Sequence, residues 1–158
     1  LTDDPVEMLA TRVGHVHVAI GNNAMRDSLL AALLQSGIEC PPIYHRDCSI
    51  SRLATIGAGT VVLAGGVVNA RAVLGQGVII NSGAVVEHDC LLGDAAHLSP
   101  RAAVAGGVTI GARSWIGIGA AVREGISIGD DVVVGAGAAV INDIPSDTTV
   151  VGVPAKPA

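Results

Sequence analysis

Aliphatic residues return at every sixth position from Ile50 to Val140 without a miss. The series is Ile50, Ile56, Val62, Val68, Leu74, Ile80, Val86, Leu92, Leu98, Val104, Ile110, Ile116, Val122, Ile128, Val134, Val140. Glycine follows the aliphatic at 57, 75, 93, 111, 117, 129 and 135. A helix face would repeat every three or four residues and a strand every two. Six-residue spacing beside glycine predicts short strands alternating with turns, an all-β solenoid of the β-helix type. If three hexapeptides close one triangular coil, residues 18 apart stack one strand spacing apart, about 4.8 Å. The second inward position, two residues before each aliphatic, supports this. One set at that spacing is Gly66, Ala84, Ala102, Ala120, Ala138, all tiny. Another is Ala54, Ala72, Cys90, Val108, Ile126, Ile144, which grows along the chain. The pattern predicts about five uninterrupted coils over residues 46–145.

Residues 1–45 lack the repeat. Val16, Val18 and Ile20 alternate as a short buried strand, and Asn22 or Asn23 can cap a helix. Ala24 to Gln35 reads as helix, with Leu29, Leu30, Leu33 and Leu34 on one side and Gly37 at its end. This small β–α unit cannot bury a core alone. It must lean on the β-helix, on a neighbouring subunit or on a preceding segment, and is expected to cap the first coil. Pro41-Pro42 marks a linker. Residues 146–158, with proline at 154 and 157 after Pro145, are expected to close the last coil.

Composition narrows the class. Half of the 158 residues are apolar, yet there is no Phe, one Trp and one Tyr. A narrow prism filled by Val, Ile, Leu and Ala explains that deficit. The 21 glycines are spread through the repeat, which argues against disorder. Net charge is −5 and basic residues are scattered, which excludes a nucleic-acid footprint. No apolar run reaches the roughly 18 residues of a membrane span. Cys40, Cys48 and Cys90 are odd in number and without metal spacing, as in a reduced, cytoplasmic protein. The chain opens at Leu1 without Met, so a preceding piece is expected.

The chemistry gathers around two histidines. His88 lies two residues after Val86, at an outward corner, and its stacked neighbours Ala70 and Gly106 are tiny. Asp89 at the same turn can orient the ring and raise its basicity, as a general base requires. A solvated corner histidine beside a solvated aspartate has the same spacing. His97 precedes Leu98 on an outward face and can meet His88 only over the prism edge or across a subunit boundary; a surface or interface histidine fits equally. Asn81 also faces outward, as a ligand contact or as a turn residue. His15 and His17 alternate on the N-terminal strand without a third ligand, His45 carries no signal, and the three-histidine zinc set of a β-helical carbonic anhydrase is not made. No metal is expected. Trp115 faces outward as an interface or surface anchor. A second corner column, Ser82, Pro100, Ile118, Ala136, is flanked by Gly117, Gly119, Gly135 and Gly137. It could accept an extended ligand, although glycine also serves tight turns.

Four stretches together resemble a known family: the hexapeptides from Ile56-Gly57, Asn81 to Glu87-His88-Asp89-Cys90 with His97, Val134-Gly-Ala-Gly-Ala-Ala-Val140, and Val151-Gly-Val-Pro-Ala-Lys156. They look like the left-handed β-helix acetyltransferases that modify bacterial sugars. The chain is most similar to the branch of UDP-4-amino-sugar N-acetyltransferases and sialic acid O-acetyltransferases. Val18-Ala-Ile-Gly-Asn-Asn23 with Arg26 resembles the second β–α unit of that branch's Rossmann-like, nucleotide-sugar domain. The resemblance implies left-handed coils, against the usual crossover hand, and a homotrimer with acetyl-CoA bound between prisms. It implies His88 as base and Asp89 as the group that raises its basicity. It implies acetyl-CoA contacts at His97, Gly106, Ile118 and Ala136, with the Gly106 N–H as an oxyanion donor. Gly21 matches a contact to the nucleotide sugar, and Asn81 belongs to the same acceptor side. The expected activity is acetyl transfer to the amine of a nucleotide-linked amino sugar in cell-surface glycan synthesis. The alternatives are O-acetylation of sialic acid or a related acidic sugar, and a non-catalytic trimeric scaffold. The branch opens its substrate domain with a strand, a glycine-rich turn containing His, and a helix. Leu1-Thr-Asp-Asp-Pro does not replace them, so half of the acceptor site is expected to lie outside this sequence or to have been lost.

Overall fold

The computed structural model describes residues 14–158; Leu1-Thr-Asp-Asp-Pro and the rest of residues 1–13 lie outside them. From Ile43 the chain winds as a parallel β-solenoid of about six turns, in agreement with the left-handed β-helix expected and one turn beyond the coil count. Almost every strand is two residues long. That length follows from the hexapeptide. One residue of each pair points in, one points out, and the next residues turn the corner.

Three walls result. The first stacks Ile43–Tyr44, Val61–Val62, Ile79–Ile80, His97–Leu98, Trp115–Ile116 and Val133–Val134. The second stacks Ser49–Ile50, Val67–Val68, Val85–Val86, Ala103–Val104, Ala121–Val122 and Ala139–Val140. The third runs from Thr55–Ile56 through Val73–Leu74, Leu91–Leu92 and Thr109–Ile110 to Ser127–Ile128. Every step is parallel, in register, and 18 residues long.

The inward aliphatics form one continuous core, with Val62, Val68, Ile80, Val86, Leu98 and Ile116 fully buried. Ala84, Ala102, Ala120 and Ala138 are buried beside them, as the small-residue column requires. Thr60 and Ser114 are the polar members of the third inward column. Each hydroxyl donates to a carbonyl and accepts a backbone N–H: Gly75 and Val78 for Thr60, Gly129 and Val132 for Ser114. Neither is left unsatisfied, so neither weakens the core. The glycines after the aliphatics have a packing reason. A Cβ on Gly93 would stand 2.6 Å from the backbone nitrogen of Ala112 in the next coil.

The helix α1 spans Asn23–Gln35; the Asn22 side chain accepts the Met25 N–H, and Gly37 follows in the left-handed region at φ +75°. Leu30 and Leu33 are buried with Val18, Ile38 and Cys40. Val16 and Ile20 are half-buried, and among the described residues their segment makes one bridge, His15 to Glu39. The unit does not cap the first coil. It lies along the corner between the third and first walls, where Gly59, Gly77, Ala95 and Arg113 stack at 18-residue steps. Leu30 rests on Gly59 and Gly77, and Asn23 donates to the Arg113 carbonyl at 2.8 Å.

Arg26 fastens this contact. It is 1% exposed. Nε donates to the Gly77 carbonyl at 2.7 Å and Nη2 to the Ala95 carbonyl at 2.7 Å; Nη1 reaches back to the Ile20 carbonyl at 2.9 Å. Burial pulls its pKa below the usual value. At the other end Thr149–Val151 extends the first wall and Lys156–Pro157 folds back antiparallel on it. Replacement of Arg26 by Leu leaves the Gly77 and Ala95 carbonyls buried without donors. It should cost about 3 kcal/mol, read as a lower urea midpoint; Arg26→Lys, which keeps charge but not the fork, should recover only part.

Candidate active site

His88 stands at the corner between the second and third walls, exposed, with nothing larger than Ala70 and Gly106 stacked on it. Its ring lies over Gly106: a Cβ there would be 2.7 Å from Cε1 and 2.8 Å from Nε2. Nδ1 meets Asp89 Oδ2 at 2.7 Å. Two donors from Arg71, one coil earlier, grip the same carboxylate at 2.6 and 3.0 Å. The Arg71 fork, and then His88, hold the Asp89 carboxyl down at about 2. An ionised Asp89 can only accept, so Nδ1 carries the proton and the Nε2 lone pair is free. Gly106 makes the first residue of its turn, with Gly107 second at φ +71°. Its N–H points to no backbone acceptor among the described residues. A free imidazole nitrogen and a free N–H thus stand on adjacent coils, which is what attack on a carbonyl needs.

A second cluster occupies the first wall. His97 stacks on Trp115 with ring centroids 5.9 Å apart and planes 10° from parallel. Asn81 Nδ2 lies 3.2 Å from His97 Nε2, and Trp115 Nε1 donates to the buried Ser99 hydroxyl at 2.6 Å. Burial, helped by the Arg26 charge, lowers the His97 pKa to about 4, so this ring is neutral at pH 7. Beside it a groove of about 200 Å³ runs between Trp115, Ile118, Val133 and Ala136. Ile118 is 59% exposed, and its carbonyl accepts the Gly137 N–H. A third hollow, about 240 Å³, holds Gly21, Asn22, Asn23, Arg113, Trp115 and Asp131. Trp115 therefore walls two hollows at once. A larger cavity of about 500 Å³ under the C-terminal tail contains none of these residues.

The structure thus joins His88 with Asp89 and Gly106, joins Asn81 with His97, and joins Ile118 with Ala136. It does not join His88 with His97 or with the groove, which lie on other faces of the same prism. Sequence reading passed over Arg71, although it stands 18 residues before Asp89. It also passed over the matching pair Arg113–Asp131 at the same spacing, whose arginine reaches Asp27 of α1. His15 pairs with Glu39 at 3.0 Å, and His17 Nδ1 is buried without a partner among the described residues. Among those residues no three His, Cys, Asp or Glu side chains gather as metal ligands, and no helix is long and apolar enough to cross a membrane.

A family profile described as bacterial transferase hexapeptide (six repeats) matches residues 107–142. Among solved structures, the acetyltransferase domain of PglB from Neisseria gonorrhoeae in complex with acetyl coenzyme A is 41% identical at a TM-score of 0.94, covering 97% of this chain and 76% of that one. PerB from Caulobacter crescentus, in complex with CoA and GDP-perosamine, is 41% identical at a TM-score of 0.95, covering 99% and 76%. Variants of that perosamine N-acetyltransferase at one histidine, to Asn or Ala, are solved with the same two ligands. WeeI from Acinetobacter baumannii is 26% identical at a TM-score of 0.80, covering 91% and 70%. No curated protein sequence matches the chain. The stacked hexapeptides and the corner site define a hexapeptide-repeat acyltransferase. Within that class the chain belongs to the bacterial sugar acetyltransferases.

Two consequences can be measured. Gly106→Ala places a methyl group where the imidazole lies; the exposed ring can swing aside, so the melting temperature should hold while turnover falls at least about tenfold. For His97, an unfolded chain takes its proton near 6.5 and the folded chain only near 4. Between those values the unfolded state binds more protons, so stability falls as pH falls and is level above 6.5. His97→Gln should lessen the loss of the urea midpoint between pH 7 and pH 5.

Proposed function

We propose that this chain transfers the acetyl group of acetyl-CoA to the amine of a nucleotide-linked amino sugar, with His88 as general base. The observation that carries the reading is the exposed His88–Asp89 pair at 2.7 Å above a bare Gly106. The likeness to structures holding CoA and GDP-perosamine supports it. The neutral amine attacks the thioester carbonyl and forms the C–N bond. Nε2 takes the amine proton as the tetrahedral oxyanion forms. The Gly106 N–H faces that oxyanion; a donor of this kind is worth about 3 kcal/mol. Collapse breaks the C–S bond, and the imidazolium returns the proton to the departing thiolate.

His88 and the groove at Ile118 and Ala136 lie on different edges, so we place the acetyl-CoA that faces one His88 in the groove of a neighbouring copy. A homotrimer with sites between subunits meets that need. His97 and Trp115 then line the donor side, and Gly21 with the 240 Å³ hollow and Asn81 receive the nucleotide sugar. The reduced cysteines and the nucleotide-sugar acceptor both suit the cytoplasm.

His88→Ala should cut turnover about 10²- to 10⁴-fold and leave acetyl-CoA binding intact by calorimetry. The native chain is assayed against UDP-, GDP- and dTDP-linked 4-amino sugars and sialic acid, with its solution mass measured alongside. Near-native turnover in the variant removes His88 as base. Preference for sialic acid moves the activity to a hydroxyl, and a monomeric mass removes the shared site.

A further inference from the structure

The carboxylate beside His88 is held from behind. Arg71 Nε donates to Asp89 Oδ1 at 2.6 Å and Nη2 to Oδ2 at 3.0 Å, while Oδ2 also accepts the His88 Nδ1–H at 2.7 Å. Arg71 and Asp89 occupy the same corner position on adjacent coils, both in the left-handed region, at φ +60° and +61°. Glycine fills that position on the next two coils, at 107 and 125. Ala95, Arg101, Arg113, Asp131 and Asp147 share this conformation, so it is the pairing across coils and not the backbone that distinguishes Arg71 and Asp89.

Stability does not account for the pair. Both side chains are largely exposed, and exposed ion pairs contribute little. The twin pair Arg113–Asp131 has a visible structural task, since Arg113 also reaches Asp27 and its carbonyl accepts from Asn23. Among the described residues the Arg71 guanidinium donates only to Asp89, and Asp89 serves only Arg71 and His88.

We propose that Arg71 is a positioning residue: it locks the Asp89 carboxylate against Nδ1, so that His88 presents an unprotonated Nε2 above Gly106. The proposal rests on His88 being the base. Without the fork the carboxylate can turn into solvent, and the imidazole loses both its orientation and its tautomer. The fork also neutralises Asp89. At the same corner stand Glu87, held by Asn69 at 2.9 Å, and, two coils on, Arg123 and Glu124. Gly106 between them carries none, and Cys90 is buried behind with its thiol pKa raised by burial. Loss of Arg71 therefore leaves the Asp89 carboxylate without its counter-charge, which favours the imidazolium.

The test uses the full chain with Arg71→Gln, Arg71→Lys, Asp89→Asn and the double variant Arg71→Gln/Asp89→Asn. Imidazole ¹⁵N NMR reads the His88 tautomer and titration midpoint without any substrate. In Arg71→Gln the midpoint should rise and the Nδ1–H preference weaken; Arg71→Lys should restore the midpoint but not the tautomer. In the Asp89→Asn background Arg71→Gln should change neither. With acetyl-CoA and the acceptor turned over fastest in the panel above, Arg71→Gln should lower kcat about tenfold or more with KM for acetyl-CoA unchanged, and move the acidic limb to higher pH. An Arg71→Gln chain with native tautomer, midpoint and kcat overturns the proposal. Native turnover in His88→Ala overturns the base assignment instead.

Discussion

One constraint organises the molecule: the strands of successive coils pair in parallel, in register, at an interval of 18 residues. The Val61 N–H reaches the Val78 carbonyl at 2.9 Å, that of Ile79 reaches Ala96 at 2.9 Å, and that of His97 reaches Ser114 at 2.9 Å. Strands of two residues have little hold as separate units. Stacked in register, they let every inward side chain rest on its counterpart one coil away. Insertion of a single residue would shift every inward position of that coil outward. Column size is therefore inherited down the prism, and chemistry is left to the corners, where side chains do not enter the core.

The corners divide into those that bind backbone to backbone and those that hold charge. The left-handed second corner position is glycine at 59, 65, 77, 83, 107, 119, 125 and 137, where it costs nothing. At 71 and 89, and again at 113 and 131, arginine and aspartate take that position one above the other. Ala95, Arg101 and Asp147 take the same conformation, and an exposed ion pair contributes little, so what sets the two pairs apart is what each one holds. Arg113–Asp131 fixes the N-terminal unit through Asp27. Arg71–Asp89 fixes nothing but a histidine.

Much of this was legible in the residues. The six-fold period located the walls, and the 18-residue step placed His88 between Ala70 and Gly106, where the ring lies. What failed to show was anything that crosses between the repeat and the first 45 residues. Arg26 sits on the same helix face as Leu30 and Leu33, so its burial had a signal, but its acceptors are carbonyls of Gly77 and Ala95. Carbonyls carry no sequence identity, and docking along an edge or over an end gives the same pattern. Arg71 was within reach of arithmetic, since subtracting one coil from Asp89 lands on it. Its residue type gives no signal, since an arginine at an outward corner is ordinarily a solvated one.

The same geometry explains how a β-helix can carry His88, the base we propose, without disturbing its core columns. The His88 side chain is 60% exposed and stands outside the core columns, so its replacement leaves them untouched. Its openness comes from what its neighbours lack: no side chain at Gly106 to fill the space above Nε2, no backbone acceptor for the Gly106 N–H among the described residues, and only a methyl group at Ala70. A base on an open surface would be solvated and free to rotate. Here the ring is held by Asp89, Asp89 by Arg71, and all three stand on backbones fixed by the stacking of coils. Precision at an exposed corner therefore derives from the register, and the site remains open to substrates on the side away from the core.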